Sequence, residues 1–187
     1  MSIRSTLLPR AMVALPFLVS ACIKEPTAAG TGSRPLAARL LAAGVAAVAP
    51  GGAIVLASPL RRSLATADAI AAALGTRVRV DPDLVEVDFG EVDGLTWNEL
   101  EIAHSALAKS ILGGTEPDWP GGEKAAQVAA RAETAADRIR AVARSSAVVV
   151  VSHGGLLSAL AHSMGTTVPE GRFEPASAMR IDAVPAR

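Results

Sequence analysis

Ala147-Val148-Val149-Val150-Val151-Ser152-His153-Gly154-Gly155 is the most apolar run of strand length in the chain, and it stops abruptly at a polar cluster. Five apolar residues in a row, without the alternation of a half-wet strand, predict a strand covered on both faces, as in a parallel sheet with helices packed above and below. The residues that follow, Gly154 to Met164, read as a helix. His153 therefore stands at a strand end, beside a turn that glycine permits and at a helix N-terminus, where backbone N–H groups attract anions.

Reading outward from this stretch, the pattern repeats. Pro35 to Val48, Arg61 to Leu74, Thr96 to Leu112 and Glu123 to Arg144 read as helices, and Ala53 to Ala57, Arg77 to Val80 and Ala178 to Val184 as short strands. The long helix after the acidic loop Asp81 to Gly94 is capped by Thr96 with Glu99 three residues on. Ala53 to Ala57 is, like the opening stretch, uniformly apolar. Strands alternating with helices, two of them apolar throughout, predict an α/β fold: a three-layer sandwich with a mainly parallel central sheet.

Composition narrows the function. The chain has 187 residues, close to one domain at about 150 residues each. Half of its residues are hydrophobic and 19% are charged, which excludes the disordered classes. Eighteen basic residues balance eighteen acidic ones, Tyr is absent, and no basic stripe interleaves with aromatics, so nucleic acid is not expected as a partner. No run of about 20 apolar residues occurs, so no integral membrane span is expected. A single cysteine and three histidines exclude a disulfide framework and a Cys/His zinc cluster.

In open parallel sheets, ligands bind beyond the carboxyl ends of the strands. Two junctions there carry polar groups. One is His153; the other is Ser58-Pro59-Leu60-Arg61-Arg62, where guanidinium forks suited to phosphate oxygens open a helix. A third element, Leu84-Val85-Glu86-Val87-Asp88-Phe89-Gly90-Glu91, sets carboxylates among apolar neighbours, an arrangement that raises a glutamate toward general-acid work. Each has a plain alternative: a surface Arg pair, a structural histidine, a solvated acidic loop.

Taken together and in order, Ser58 to Ala67, Leu84-Val85-Glu86 through Phe89-Gly90 and Gly94-Leu95-Thr96, Pro120-Gly121-Gly122-Glu123, and Val150 to Gly155 resemble the histidine phosphatase superfamily, the phosphoglycerate mutase-like proteins. The resemblance runs from about Pro35 to the end. It implies the phosphoglycerate mutase-like fold and phosphohistidine chemistry on a small phosphorylated metabolite, with no cofactor and no metal. Residue by residue, it implies that Arg62 binds phosphate with Ser58 and Gly154, that His153 hydrogen-bonds the transferring phosphoryl group, and that Glu86 donates a proton to the leaving group. Ala65 stands where the pattern has Gln, and Lys124 where it commonly has Ser.

One departure reaches the chemistry. The family's nucleophile lies in an Arg-His-Gly motif after the first strand, and this chain has none. His104 and His162 fall within helices, away from strand ends. The first 32 residues are atypical, and residues 33–187 carry the resemblance. Arg4 and Arg10 precede an apolar run from Ala11 to Ala21 that ends in Val19-Ser20-Ala21-Cys22, which reads as a lipoprotein signal or as a buried strand. A third reading comes from codons. With CGC for Arg10 and GCC for Ala11, the frame shifted at Met12-Val13 spells Arg-His-Gly, and Ile23-Lys24-Glu25 can spell Gln-Gly. That points to a shifted reading frame over roughly residues 11–30. A cytoplasmic phosphomonoesterase is the favoured expectation. Its rivals are a non-catalytic phosphate-binding module, which the chain as written would be, and a lipoprotein anchored through Cys22 that keeps only the scaffold.

Overall fold

The run Val148–Ser152 forms the expected strand, and every residue in it is buried. The structure, a computed structural model, describes residues 16–20, 33–113, 117–168, 173 and 176–181. In chain order the strands are β1 (Pro16–Ser20), β2 (Ile54–Ala57), β3 (Val78–Val80), β4 (Val148–Ser152) and β5 (Ala178–Arg180). The helices are α1 (Ser33–Val48), α2 (Arg61–Leu74), α3 (Trp97–Ala103), α4 (Ser105–Leu112), α5 (Ala125–Ala143) and α6 (Gly154–Ser163). The strands make one sheet in the order β3-β2-β4-β1-β5, parallel except for β5, which runs antiparallel to β1 at the edge.

The two uniformly apolar strands are neighbours near the centre, as double-sided burial requires. Their side chains alternate between two cores. Val148 and Val150 join Leu56 and Leu18 under α5 and α6, with Ile139, Leu157 and Leu160. Val149 and Val151 join Val55 and Ala57 on the other face, under α1 and α2, with Val45 and Ile70. Helix, sheet and helix thus form three layers. A third apolar cluster, outside the sheet, gathers Val87, Val92, Leu100, Ala108, Trp119 and Val128, with Phe89 packed edge-on against Trp119 at a ring separation of 4.7 Å.

One expectation needs correction. The helix expected over Thr96 to Leu112 is two. The Thr96–Glu99 capping box forms as predicted, but His104 ends α3 through its N–H to the Leu100 carbonyl and starts α4 by accepting from Ala108. No Pro or Gly marks the break, which leaves Leu100 of α3 and Ala108 of α4 in the same apolar cluster. His104 is therefore a junction residue rather than a helix-interior one. Within the atypical segment 1–32, Pro16–Ser20 form β1, between β4 and β5, with Leu18 fully buried, which is the strand alternative for that apolar run. No described helix is long and apolar enough to cross a membrane.

Candidate active site

Helix α2 starts just after β2, and α6 just after β4. Because β2 and β4 are adjacent and parallel, their carboxyl ends bring Ser58, Arg62 and His153 to one place. The Ser58 N–H donates to the Val151 carbonyl (3.0 Å) and the Ser63 hydroxyl to the same oxygen (2.8 Å), so the α2 entrance is tied to β4 itself.

His153 is completely buried and held at both nitrogens. Arg62 Nε donates to Nδ1 at 3.1 Å, and Nε2 lies 2.8 Å from Ser58 Oγ. A guanidinium has no acceptor to offer, so Nδ1 must be unprotonated, and the neutral ring carries its proton on Nε2 and donates to Ser58. Burial, followed by the positive charge of Arg62, pushes the His153 pKa down to about 4. The Ser58–His153 pair has the spacing of a nucleophile and its base, but the proton is on the wrong nitrogen and Ser58 is inaccessible. Ser58 thus orients His153. Arg62 spends one of its five N–H donors on the ring, and its two Nη groups make no hydrogen bond or ion pair among the described residues.

Glu86 arrives from the loop after β3. Its Oε1 accepts from the Val87 N–H (3.0 Å) and the Leu156 N–H (3.3 Å) in the first turn of α6. Gly155 makes the approach possible, because a Cβ there would meet Oε1 at 2.9 Å and Val87 Cγ2 at 3.1 Å. Burial raises the Glu86 pKa above the ordinary 4.5, against the pull of these N–H groups and of Arg62. The anion-attracting end of α6 is therefore partly taken by a residue of the chain itself, which leaves the Gly154 N–H as the first-turn donor Glu86 does not use.

All five site residues expected from the sequence, Ser58, Arg62, Glu86, His153 and Gly154, meet at this end of the sheet. The strand end on the other side of β4 is that of β1, whose Ser20 pairs with Ser152. No histidine precedes His104 in the sequence, so none lies directly after β1. Leu8 to Val13, where the shifted frame would place Arg-His-Gly, lie outside the described residues and upstream of β1, as Cys22 lies outside them downstream. His162 is exposed in the last turn of α6. Among the described residues no three His, Cys, Asp or Glu side chains come together to hold a metal.

The sequence reading missed Arg131, which it placed only within a long helix. Its Nη1 donates to the carbonyls of Asp83 (2.9 Å) and Val85 (2.7 Å), and its Nε and Nη2 grip Glu123 at 2.9 and 2.6 Å. A signal was present: Arg131 falls on the α5 stripe of Val128, Ala132 and Ala135, where a cation needs partners.

The family model described as the histidine phosphatase superfamily, branch 1, matches residues 35–181. A bifunctional protein of Mycobacterium tuberculosis is 42% identical over 112 residues, covering 60% of this chain and 31% of that protein. A probable phosphoglycerate mutase of Erwinia tasmaniensis is 34% identical over 107 residues, covering 57% of this chain and 50% of that protein. The matches thus span 31% and 50% of the length of these two relatives. Among solved structures, the native mycobacterial glucosyl-3-phosphoglycerate phosphatase superposes with a TM-score of 0.66 at 25% identity, covering 89% of this chain and 88% of that one.

Proposed function

The chain belongs to the histidine phosphatase superfamily, branch 1, and on that footing we propose that the pocket of Arg62, Glu86 and His153 receives the phosphoryl group of a small phosphorylated metabolite. The observation that carries this reading is the state of His153: buried, neutral, and fixed by Arg62 and Ser58. In this reading the Nη groups of Arg62, unpaired among the described residues, take two phosphoryl oxygens as a charge-assisted fork. The Gly154 N–H adds a donor at the positive end of α6. Glu86, its pKa raised by burial, is the acid that protonates the leaving oxygen.

The family's route to hydrolysis passes the phosphoryl group to a histidine after the first strand and then to water. Without a histidine before residue 104, the chain as written binds a phosphomonoester and does not turn it over. The shifted frame over residues 11–30 supplies the missing Arg-His-Gly but also rewrites Pro16–Ser20, so residues before the motif would have to take the place of β1; in a chain so altered the same pocket would be a phosphomonoesterase working without a metal. Hydrolysis is favoured over mutase transfer. The compartment that suits this reading is the cytoplasm, because cleavage before Cys22 would remove β1 from the sheet.

Two measurements test the proposal. Calorimetry should find phosphate or vanadate binding, weakened by about 1.5–3 kcal/mol in Arg62→Ala; unchanged affinity would remove Arg62 from the site. The chain as written should hydrolyse p-nitrophenyl phosphate barely above background, whereas replacing residues 11–30 by the shifted reading should restore turnover that His153→Ala abolishes again. Acid-labile, base-stable phosphate incorporated into the unaltered chain would show that another histidine is the nucleophile.

A further inference from the structure

Glu86 sits in an irregular loop with no regular hydrogen-bond ladder, so something else must hold its carboxyl against α6. Two contacts do this. On the N-terminal side, Arg131 Nη1 donates to the Asp83 and Val85 carbonyls, the latter belonging to the residue before Glu86. On the C-terminal side, Glu123 accepts from the Asp88 N–H at 3.0 Å and gives its own N–H to the Asp88 carbonyl at 2.9 Å. Arg131 and Glu123 are themselves joined by two parallel bonds, and both side chains are mostly buried. The two ends of the segment 83–88 are thus closed into a single clasp, with Glu86 between them.

We propose that Arg131 is the positioning residue of Glu86: the Arg131–Glu123 fork holds the loop so that the Glu86 carboxyl stays on the first turn of α6. The role rests on the reading of Glu86 as the proton donor of the pocket. A fork is required, because one nitrogen must serve two carbonyls while the rest of the group serves a carboxylate. A lysine ammonium cannot do both. Releasing the loop lets water reach Glu86, and burial is the cause of its raised pKa. Among the described residues, the other charged or titratable groups around Glu86 are Arg62 on α2 and, bonded to it, His153, and neither has a hydrogen bond or ion pair with Arg131.

The test reads the Glu86 carboxyl directly, by carbon NMR titration of the full chain with carboxyl-labelled glutamate, the signal being assigned with Glu86→Gln. In the unaltered chain Glu86 should titrate above 4.5. In Arg131→Lys, and in Glu123→Gln should Arg131→Lys fail to fold, its midpoint should drop toward 4.5. Arg140→Met is the control: Arg140, also on α5, bonds Glu133, Asp137 and the Ser163 carbonyl instead. Loss of that arginine should lower stability and leave the Glu86 midpoint in place. An unmoved midpoint in a folded Arg131→Lys or Glu123→Gln would reduce Arg131 to a purely structural role and overturn the proposal. If the midpoint falls as expected while phosphate and vanadate fail to bind the unaltered chain, the clasp stands and the phosphoryl-site reading fails.

Discussion

His153 shows how much of a residue's chemistry comes from its surroundings. Buried, and with Arg62 on Nδ1, the ring stays neutral down to about pH 4, whereas an unfolded histidine takes a proton near 6.5. Between those values the unfolded chain binds a proton that the folded chain does not, so stability falls as pH drops from about 6.5 to about 4, by about 3 kcal/mol in total. Glu86 acts in the opposite sense: with its folded pKa raised above 4.5, its contribution is full below the ordinary value and is lost as pH rises through the folded one. Urea unfolding between pH 4.5 and 7 should show the acid limb in the unaltered chain and a shallower one in His153→Asn; equal slopes would mean that His153 is not held neutral. The sequence made Ser58, Arg62, Gly154 and His153 legible because they stand where two apolar strands lead into helices, and Glu86 because it is a carboxylate among apolar neighbours in an acidic loop. Their bonds were not legible, since Arg62 and His153 are 91 positions apart.

At the scale of elements, the site depends on two loops that cross. Gly90 and Gly122 meet backbone to backbone: a Cβ on Gly122 would lie 2.2 Å from the Asp88 carbonyl oxygen, and one on Gly90 would lie 2.2 Å from that of Pro120. Gly90 also has φ +57, in the left-handed region. Backbone cannot step aside as a side-chain tip can, so Gly90→Ala and Gly122→Ala should each cost about 2–3 kcal/mol by thermal or urea unfolding, whereas Gly51→Ala, with open space around it, should stay within about 0.5 kcal/mol. Equal effects at all three positions would mean that the crossing does not hold the loops. The motif Pro120-Gly121-Gly122-Glu123 stood out in the sequence, but its purpose did not. Its glycines let the loops approach, and its glutamate, whose pKa Arg131 holds below the ordinary value despite partial burial, closes the clasp. The α3–α4 break was hidden for a similar reason: no Pro or Gly marks it locally, and its effect, Leu100 and Ala108 in one cluster with Trp119, exists only in the packed structure.

For the molecule as a whole, the decisive element is β1, between β4 and β5 in the sheet. Removing residues 1–21 would strip β4 of a parallel neighbour along its whole length and detach β5, exposing a long apolar edge. The truncated chain should aggregate or lose its cooperative unfolding transition. In the milder test, Leu18→Ala should cost about 2–5 kcal/mol, as for a fully buried leucine; a neutral effect would return the segment to the status of a removable leader. The sequence alone determined the α/β alternation, the two doubly buried strands and the strand-end residues, because periodicity and turn chemistry are local and survive in one dimension. It left Ala11 to Ala21 ambiguous, because about ten apolar residues suit a signal or a strand equally. The tertiary structure resolved Pro16–Ser20 as a strand, since only an open position beside β4 can say which partner an apolar run takes. It also supplied what no local pattern carries: the neutral state of His153, the occupation of the α6 N-terminus by Glu86, and the Arg131 clasp. Each of these depends on groups far apart in the chain that share hydrogen bonds only once the layers have packed.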